Sequence, residues 1–190
     1  YTAAGVTGTA DSHTVTIDGA TAGGDLEFSG AVETMSLSIT SDSALADIIF
    51  DAGTTTVNVD AGADLTVATL VNTGGATALT ITGSGDVNLA TTTVTGAPNT
   101  ITAGAATGDI TVDTGNVTAA TVVGTFDPTD LTVTTGSGDD TVDASATLTA
   151  SEMSISLGAG DDTLTIRAAT DLASASATVA GDILDGGDGT

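Results

Sequence analysis

The sequence predicts an all-β protein whose chain winds into a parallel β-solenoid with about 21 residues per coil, a period typical of solenoids. The first observation is periodicity: an acid preceded by a small residue recurs seven times between Asp25 and Glu152. The second is that short stretches alternate apolar residues with Thr, Ser or Asn, as strands with one dry and one wet face do. The third is that only 2% of the chain is aromatic, which suits a narrow interior.

Each coil is predicted to contain two or three short strands. A first strand is expected at 14–17, and the acid-led segments supply strands at 24–28, 46–50, 63–67, 85–89, 108–112, 129–133 and 151–155. Second strands are expected at 35–39, 57–59, 78–82, 100–102, 121–123 and 163–166. No capped helical pattern interrupts them, so a helix content near zero is predicted. Residues 168–180, which are rich in Ala and Ser, fit an inserted loop, a short helix or a looser coil.

Charge limits the partners that the chain can have. It carries 25 acidic residues and a single basic one, Arg167, for a net charge of −24. This composition excludes nucleic acid as a partner, because no cationic surface exists to neutralise phosphate. It favours bound cations, because they relieve the self-repulsion of the compact state. Cysteine is absent, and no apolar run approaches the ~18 residues of a membrane-spanning segment, so neither disulfides nor transmembrane helices are expected.

One short motif near the C-terminus carries the functional prediction. Residues 135–143 (TGSGDDTVD) recur as 157–165 (LGAGDDTLT), and 185–190 begin a third copy. Alternate glycines let a tight turn aim its carbonyl oxygens inward, and the aspartate that follows adds a carboxylate. The resulting all-oxygen site suits Ca²⁺. One turn supplies only part of a coordination shell, so each ion is expected between turns of adjacent coils. The candidate ligands are Gly136, Gly138, Asp139, Asp140, Gly158, Gly160, Asp161, Asp162, Gly186, Gly187, Asp188 and Gly189.

These copies resemble the G-G-x-G-x-D-x-U-x nonapeptide of the RTX family of calcium-binding repeats, and the first two lack only its first glycine. With its Thr-, Ala-, Gly- and Val-rich composition, the chain more closely resembles exported bacterial surface-layer (S-layer) proteins. The resemblance implies a right-handed solenoid, bound Ca²⁺, secretion to the extracellular cell surface and self-assembly with copies of itself. It also implies contact with a cell-surface polysaccharide through another part of the protein.

The chain is expected to be one continuous solenoid segment, 1–190, of a longer protein. Residues 1–134 form degenerate coils, and residues 135–190 form the RTX-like calcium-binding coils. The step from Asp140 to Asp162 is longer than the total of about 18 that two nonapeptides per coil would give. Insertions are therefore predicted between the calcium-binding turns.

The remaining acids have two interpretations. Those at 25, 47, 64, 86, 109 and 130 are expected to cap their own turns through Asx-type hydrogen bonds, with bound cations as the alternative. Asp139 and Asp161 are either additional ligands or residues that face solvent.

A structural role is predicted rather than catalysis. His13 is the only histidine and has no partners for a Ser–His–Asp set. Two alternatives to a surface-layer protein remain: a stalk of a large adhesin, and a calcium-dependent ice-binding solenoid. An ice-binding face needs T-x-T pairs at the same place in every coil, whereas these fall at differing offsets from the acids, so ordinary exposed strand positions are expected for them. The pairs are 14/16, 80/82, 93/95, 100/102 and 132/134.

Overall fold

The computed structural model describes residues 10–21, 23–28, 32–50, 53–72, 78–89, 100–113, 131–145, 153–166 and 183–189. Within these ranges the chain forms fifteen strands and no helix, and every strand pair is parallel, which confirms the predicted all-β solenoid. The strands are β1 (Ser12–Asp18), β2 (Asp25–Phe28), β3 (Thr34–Ser41), β4 (Ser43–Phe50), β5 (Thr56–Ala61), β6 (Leu65–Asn72), β7 (Ala78–Gly83), β8 (Val87–Leu89), β9 (Thr100–Ala106), β10 (Ile110–Asp113), β11 (Leu131–Thr134), β12 (Thr141–Asp143), β13 (Met153–Ser156), β14 (Thr163–Thr165) and β15 (Ile183–Asp185).

Two sheets run along the solenoid. The odd-numbered strands stack in order from β1 to β15 as an eight-stranded sheet, and the even-numbered strands stack from β2 to β14 as a seven-stranded sheet. Each coil therefore contributes one strand to each sheet. Strand partners stand directly over one another, so the backbone hydrogen bonds of one coil are made with the coils above and below it.

The narrow interior is built from alternate residues of both sheets. In the eight-stranded sheet, Met35, Val57, Leu79 and Ile101 follow one another in register, and all four are buried. In the seven-stranded sheet, the rings of Phe28 and Phe50 stack with centroids 5.6 Å apart. Burying each such aliphatic or aromatic side chain contributes about 1.5–3 kcal/mol, so the repeated columns supply most of the favourable free energy of folding.

The coil length is 22 residues in most of the solenoid, as between Ser36 and Asn58. The period predicted from the acids was shorter because of one short step, from Asp47 to Asp64. The structure shows why: Asp47 pairs with Asp25 and with Thr69, so Asp64 does not occupy an equivalent position. The prediction that the acids mark one repeated position is therefore wrong.

The acid-led segments also belong to different sheets. Ile110 begins a strand of the seven-stranded sheet, whereas Leu131 and Met153 begin strands of the eight-stranded sheet. Asp130 and Glu152, the predicted strand at 121–123 and the segment 168–180 lie outside the described residues.

Some coils are longer than the usual coil length. Thr111 of β10 pairs with Thr141 of β12, and Ser154 of β13 pairs with Ile183 of β15, so both of these steps exceed the usual coil length. The additional residues fall between β10 and β11 and between β14 and β15, where the chain passes from the seven-stranded to the eight-stranded sheet. The opposite connection, which contains the glycine–aspartate motif, has between one and six residues between the strands. We call this connection the acidic turn.

Candidate metal site

Glycines in the acidic turn allow successive turns to stack in close contact. A Cβ atom added at Gly158 would overlap the carbonyl oxygen of Gly136, one coil earlier, and one added at Gly160 would overlap that of Gly138. Gly158 has φ +79° and Gly160 has φ +146°, conformations that favour glycine. The alternating glycines of the motif therefore place the peptide groups of one turn directly on those of the turn before.

The first acid of each turn belongs to an exposed outer ladder. In every step the Oδ1 atom of one aspartate accepts a hydrogen bond from the backbone N–H of the aspartate one coil later, at 2.8 to 3.3 Å. The outer ladder consists of Asp42, Asp64, Asp86, Asp109, Asp139 and Asp161. These carboxylates satisfy turn amides that the sheets do not reach.

The next residue of each turn points into the solenoid and forms an inner column. Its first members are Ser43, Leu65, Val87 and Ile110, and the last three are each at most 1% exposed. In the coils with the G-x-G-D-D motif, Asp140 and Asp162 take this place. The inner column thus changes from apolar side chains to carboxylates where the motif begins.

This change also redirects backbone hydrogen bonds. The amides of Leu65 and Val87 donate to the main-chain carbonyls of Asp86 and Asp109. The amide of Ile110 donates instead to the Oδ1 atom of Asp140 at 2.8 Å, and the amide of Asp140 donates to Oδ1 of Asp162 at 2.9 Å. Each inner carboxylate therefore uses one oxygen to hold the preceding coil.

The second oxygen of each inner carboxylate has no such role. Among the described residues, the Oδ2 atoms of Asp140 and Asp162 are buried and have no hydrogen-bond partner. Asp140 is 1% exposed. A buried carboxylate without a counter-charge costs several kcal/mol, so these oxygens mark a place where a cation or a proton is needed.

Burial raises the pKa of Asp140 above its ordinary value of 3.8. The amide of Ile110, which donates to the carboxylate, acts in the opposite direction, and the charge of Asp162 raises the pKa of Asp140 further. Thr135 is also buried, and its hydroxyl donates to the carbonyl of Leu157 at 2.6 Å. The adjacent coils thus bring two carboxylates close enough to interact inside the solenoid, since the charge of Asp162 acts on Asp140 and its Oδ1 atom accepts from the Asp140 amide.

The structure separates the predicted ligands into three groups. Asp140 and Asp162 are the inner acids, and the four glycines of their turns shape the backbone around them. Asp139 and Asp161 are exposed members of the outer ladder, which favours the prediction that they face solvent. In the third copy, the amide of Asp188 donates to the carbonyl of Gly158 at 2.8 Å. Asp188 therefore lies opposite Ala159 rather than opposite either acid of the pair.

Two sequence-based expectations about the acidic turns are corrected, and one residue of the outer ladder was missed. The step from Asp140 to Asp162 is one coil, so no insertion separates these turns. Asp64, Asp86 and Asp109 do not cap their own turns, because their Oδ1 atoms accept from amides in the next coil. Asp42 was missed because Ser43 follows it, whereas an apolar residue follows each of the acids that were identified as leading a strand. Its distance from Asp64, which is one full coil, was the signal that could have identified it.

No group of three or more His, Cys, Asp or Glu side chains is placed to hold a metal ion within the described ranges. A cation between Asp140 and Asp162 would therefore need backbone carbonyls as its remaining ligands, which is the chemistry that the glycine turns favour. The described residues also contain no helix able to span a membrane. Comparisons with family models, curated proteins and solved structures found no match for the chain.

Proposed function

We propose that this chain is a calcium-stabilised structural protein of the extracellular cell surface that assembles with copies of itself into a layer or filament. The observation that carries the proposal is the pair of buried Oδ2 atoms, on Asp140 and Asp162, without hydrogen-bond partners. Ca²⁺ is a hard cation that takes six to eight oxygen ligands in flexible geometry. It suits two carboxylates joined by peptide carbonyls better than a metal that requires nitrogen or sulfur.

Calcium would act as a folding switch in this proposal. An ion that binds only the folded chain stabilises it by RT ln(1 + [Ca²⁺]/Kd), or about 2.7 kcal/mol at 100 times Kd. The net charge of −24 makes the calcium-free compact state costly. The chain is therefore poorly folded where Ca²⁺ is scarce, which suits export, and becomes ordered outside the cell.

Calcium titration of matched variants tests the proposed site. Asp140→Asn and Asp162→Asn each remove one inner charge at nearly constant volume. Calorimetry should show calcium binding weakened by at least about 10- to 100-fold, because loss of a residue that only supports a metal ligand already has an effect of that size. Asp109→Asn, in the outer ladder, is the control and should leave the affinity nearly unchanged. Equal affinity in all three variants and the wild type would contradict the proposal.

The adhesin stalk is the alternative that assembly measurements separate. Light scattering is followed while Ca²⁺ is added to the full chain and then removed with a chelator. A layer or filament protein gives a reversible rise in scattering with Ca²⁺, whereas a stalk binds the ion and remains monomeric. A monomer at every calcium concentration would therefore favour the stalk.

A further inference from the structure

The outward face of the eight-stranded sheet carries two adjacent columns of hydroxyl side chains in strand register. Over the first seven strands, twelve of the fourteen positions are Ser or Thr, and all are exposed or half-buried. On the eighth strand, β15, the two columns continue as Ile183 and Asp185. We call this surface the hydroxyl strip. Its columns are Ser12, Thr34, Thr56, Ala78, Thr100, Thr132 and Ser154, and Thr14, Ser36, Asn58, Thr80, Thr102, Thr134 and Ser156.

The T-x-T pairs in the described ranges occupy exposed or half-buried strand positions, as expected, but they do not share one pair of columns. Pairs 14/16 and 80/82 lie in the second column and the next outward one, whereas 100/102 and 132/134 lie in the first and second. Four of the five pairs share the second column, through Thr14, Thr80, Thr102 and Thr134. The fifth pair, 93/95, lies outside the described residues.

The hydroxyl strip contains no charge, although the chain carries 25 acids. The outward face of the seven-stranded sheet differs, because Asp25 lies beside Asp47 and Asp113 lies beside Asp143. The acidic turn carries the outer ladder. Asp60 stands at the next outward position along β5, at the edge of the strip. From β1 to β13 the strip is thus a long uncharged surface on which a second acidic molecule meets little repulsion.

We propose that the hydroxyl strip is the surface through which two copies of this chain pack face to face. This inference rests on the proposed self-assembly and names its contact. Two chains with net charges of −24 repel each other wherever their carboxylates face. At the strip, short Ser and Thr side chains let the sheets approach, and their hydroxyls form hydrogen bonds across the contact in place of water.

The size of the strip indicates a weak and repeated contact. Seven strands about 4.8 Å apart and two outward positions about 7 Å apart give an area of roughly 400 Å² per copy. A stable protein interface buries about 800 Å² on each partner. One such contact does not hold a dimer at low concentration, but many of them in one array add through multivalency.

Two threonines of the same coil provide a matched test. Thr102 lies in the strip, and Thr111 lies on the outward face of the opposite sheet. Lysine and glutamate are placed separately at each position, and circular dichroism and calcium calorimetry verify the fold and the ion site. Thr102→Lys and Thr102→Glu should abolish calcium-dependent light scattering with calcium binding intact, whereas Thr111→Lys and Thr111→Glu should preserve it.

Cross-linking gives a second readout that tolerates a partial loss of stability. The chain has no cysteine, so Thr80→Cys, on the middle strand of the strip, introduces a unique thiol. A short bis-maleimide should join two copies through residue 80 in calcium but not through Thr111→Cys. If calcium binds in an Asp140-dependent manner but the chains do not assemble, the proposed contact through the strip is wrong, whereas the proposed ion site is retained.

Three results would overturn the inference: unchanged assembly of the Thr102 variants, equal losses at Thr102 and Thr111, or cross-linking through residue 111 alone. Thermal hysteresis that Thr102→Lys removes while assembly persists would also overturn it. That result would assign the strip to ordered water, as the ice-binding alternative requires.

Discussion

At the scale of single residues, the feature that sets this chain apart is a buried carboxylate, Asp140, that follows Leu65, Val87 and Ile110 in the inner column. Asp140 stands one coil after Ile110, in a position where the side chain has almost no contact with water. One of its oxygens holds the amide of Ile110, and the other is buried without a partner. The free energy of the site therefore depends on what neutralises the carboxylate.

Asp140 gives calcium-free folding a pH dependence of defined sign. Burial raises the pKa of Asp140 in the folded chain, so the folded chain binds a proton more tightly than the unfolded chain does. The free-energy cost of burying the charged carboxylate is absent below the pKa of the unfolded chain, about 3.8. This cost grows as the pH rises towards the pKa of the folded chain, and it is constant above that pKa. Acidification from neutral pH towards 3.8 should therefore stabilise the calcium-free wild type relative to Asp140→Asn.

Urea unfolding of both proteins in chelator, at a series of pH values, measures this difference. Parallel stability curves for wild type and Asp140→Asn would contradict the prediction. In saturating Ca²⁺ the sign should reverse for the wild type, because protons compete with the ion for the carboxylates.

Gly158 combines a positive φ with close contact to the turn before it, so the stacked turns are predicted to depend on the absence of a side chain there. Gly158→Ala should lower the free energy of unfolding by about 1–3 kcal/mol from the positive φ alone, with a further loss from overlap with the Gly136 carbonyl. Gly186→Ala is the matched control, since an added Cβ there meets nothing within 4 Å. Chemical denaturation of the two variants in calcium makes the comparison, and equal losses would refute the stacking argument.

At the scale of elements, the outer ladder combines a favourable hydrogen bond with an unfavourable charge. Each carboxylate accepts an amide from the next coil, yet successive carboxylates stand about one strand spacing, ~4.8 Å, apart. Asp86→Asn keeps an oxygen acceptor for the amide of Asp109 and removes one like charge from the row. It should therefore stabilise the chain by a few tenths of a kcal/mol at low salt, in the range of surface charge effects.

The salt dependence distinguishes the charge from the hydrogen bond. The gain from Asp86→Asn should fall as ionic strength rises, because salt screens exposed charges. Asp86→Ala removes the acceptor as well and should be less stable than Asp86→Asn at every salt concentration. Thermal unfolding at low and high NaCl measures both effects, and a salt-independent gain would show that repulsion is not its source.

The strands could be predicted from sequence because their alternation depends only on local pattern. Every predicted strand in the described ranges is present, from β1 at Ser12–Asp18 to β14 at Thr163–Thr165. The register could not be predicted in full, because it is set by which residues meet one coil later. Asp47 and Asp64 look equivalent in sequence, and only the pairing of Asp47 with Thr69 separates them.

Only part of the candidate site could be predicted, because the sequence shows the local spacing of residues but not their orientation. The G-x-G-D-D spacing identified Asp140 and Asp162, but it could not show which acid of each pair points inward. That distinction follows from the pleat, in which neighbouring residues face opposite sides. The two hydroxyl columns were not predicted, because the positions of the threonines were compared with those of the acids rather than with positions in the strands.

At the scale of the whole molecule, the inner column divides the solenoid into two parts with different requirements. Up to Ile110 the column is filled by Leu65 and Val87 and needs no ion. From Asp140 onward it contains carboxylates. In solenoids each coil contacts only its neighbours, so stability is close to a sum of local terms. Loss of calcium should therefore act first at one end of the molecule.

Hydrogen exchange along the chain, with and without a chelator, measures this difference between the two parts of the solenoid. Chelation should reduce amide protection in β12 to β14 much more than in β3 to β8, whereas Mg²⁺ at equal ionic strength should not restore it. The double variant Asp140→Leu/Asp162→Leu extends the apolar column and should retain protection in β12 to β14 without calcium, since each buried Leu contributes about 1.5–3 kcal/mol and removes a buried charge. Uniform loss of protection from β3 to β14, or a double variant that still needs calcium, would show that the inner column does not control where the chain responds to the ion.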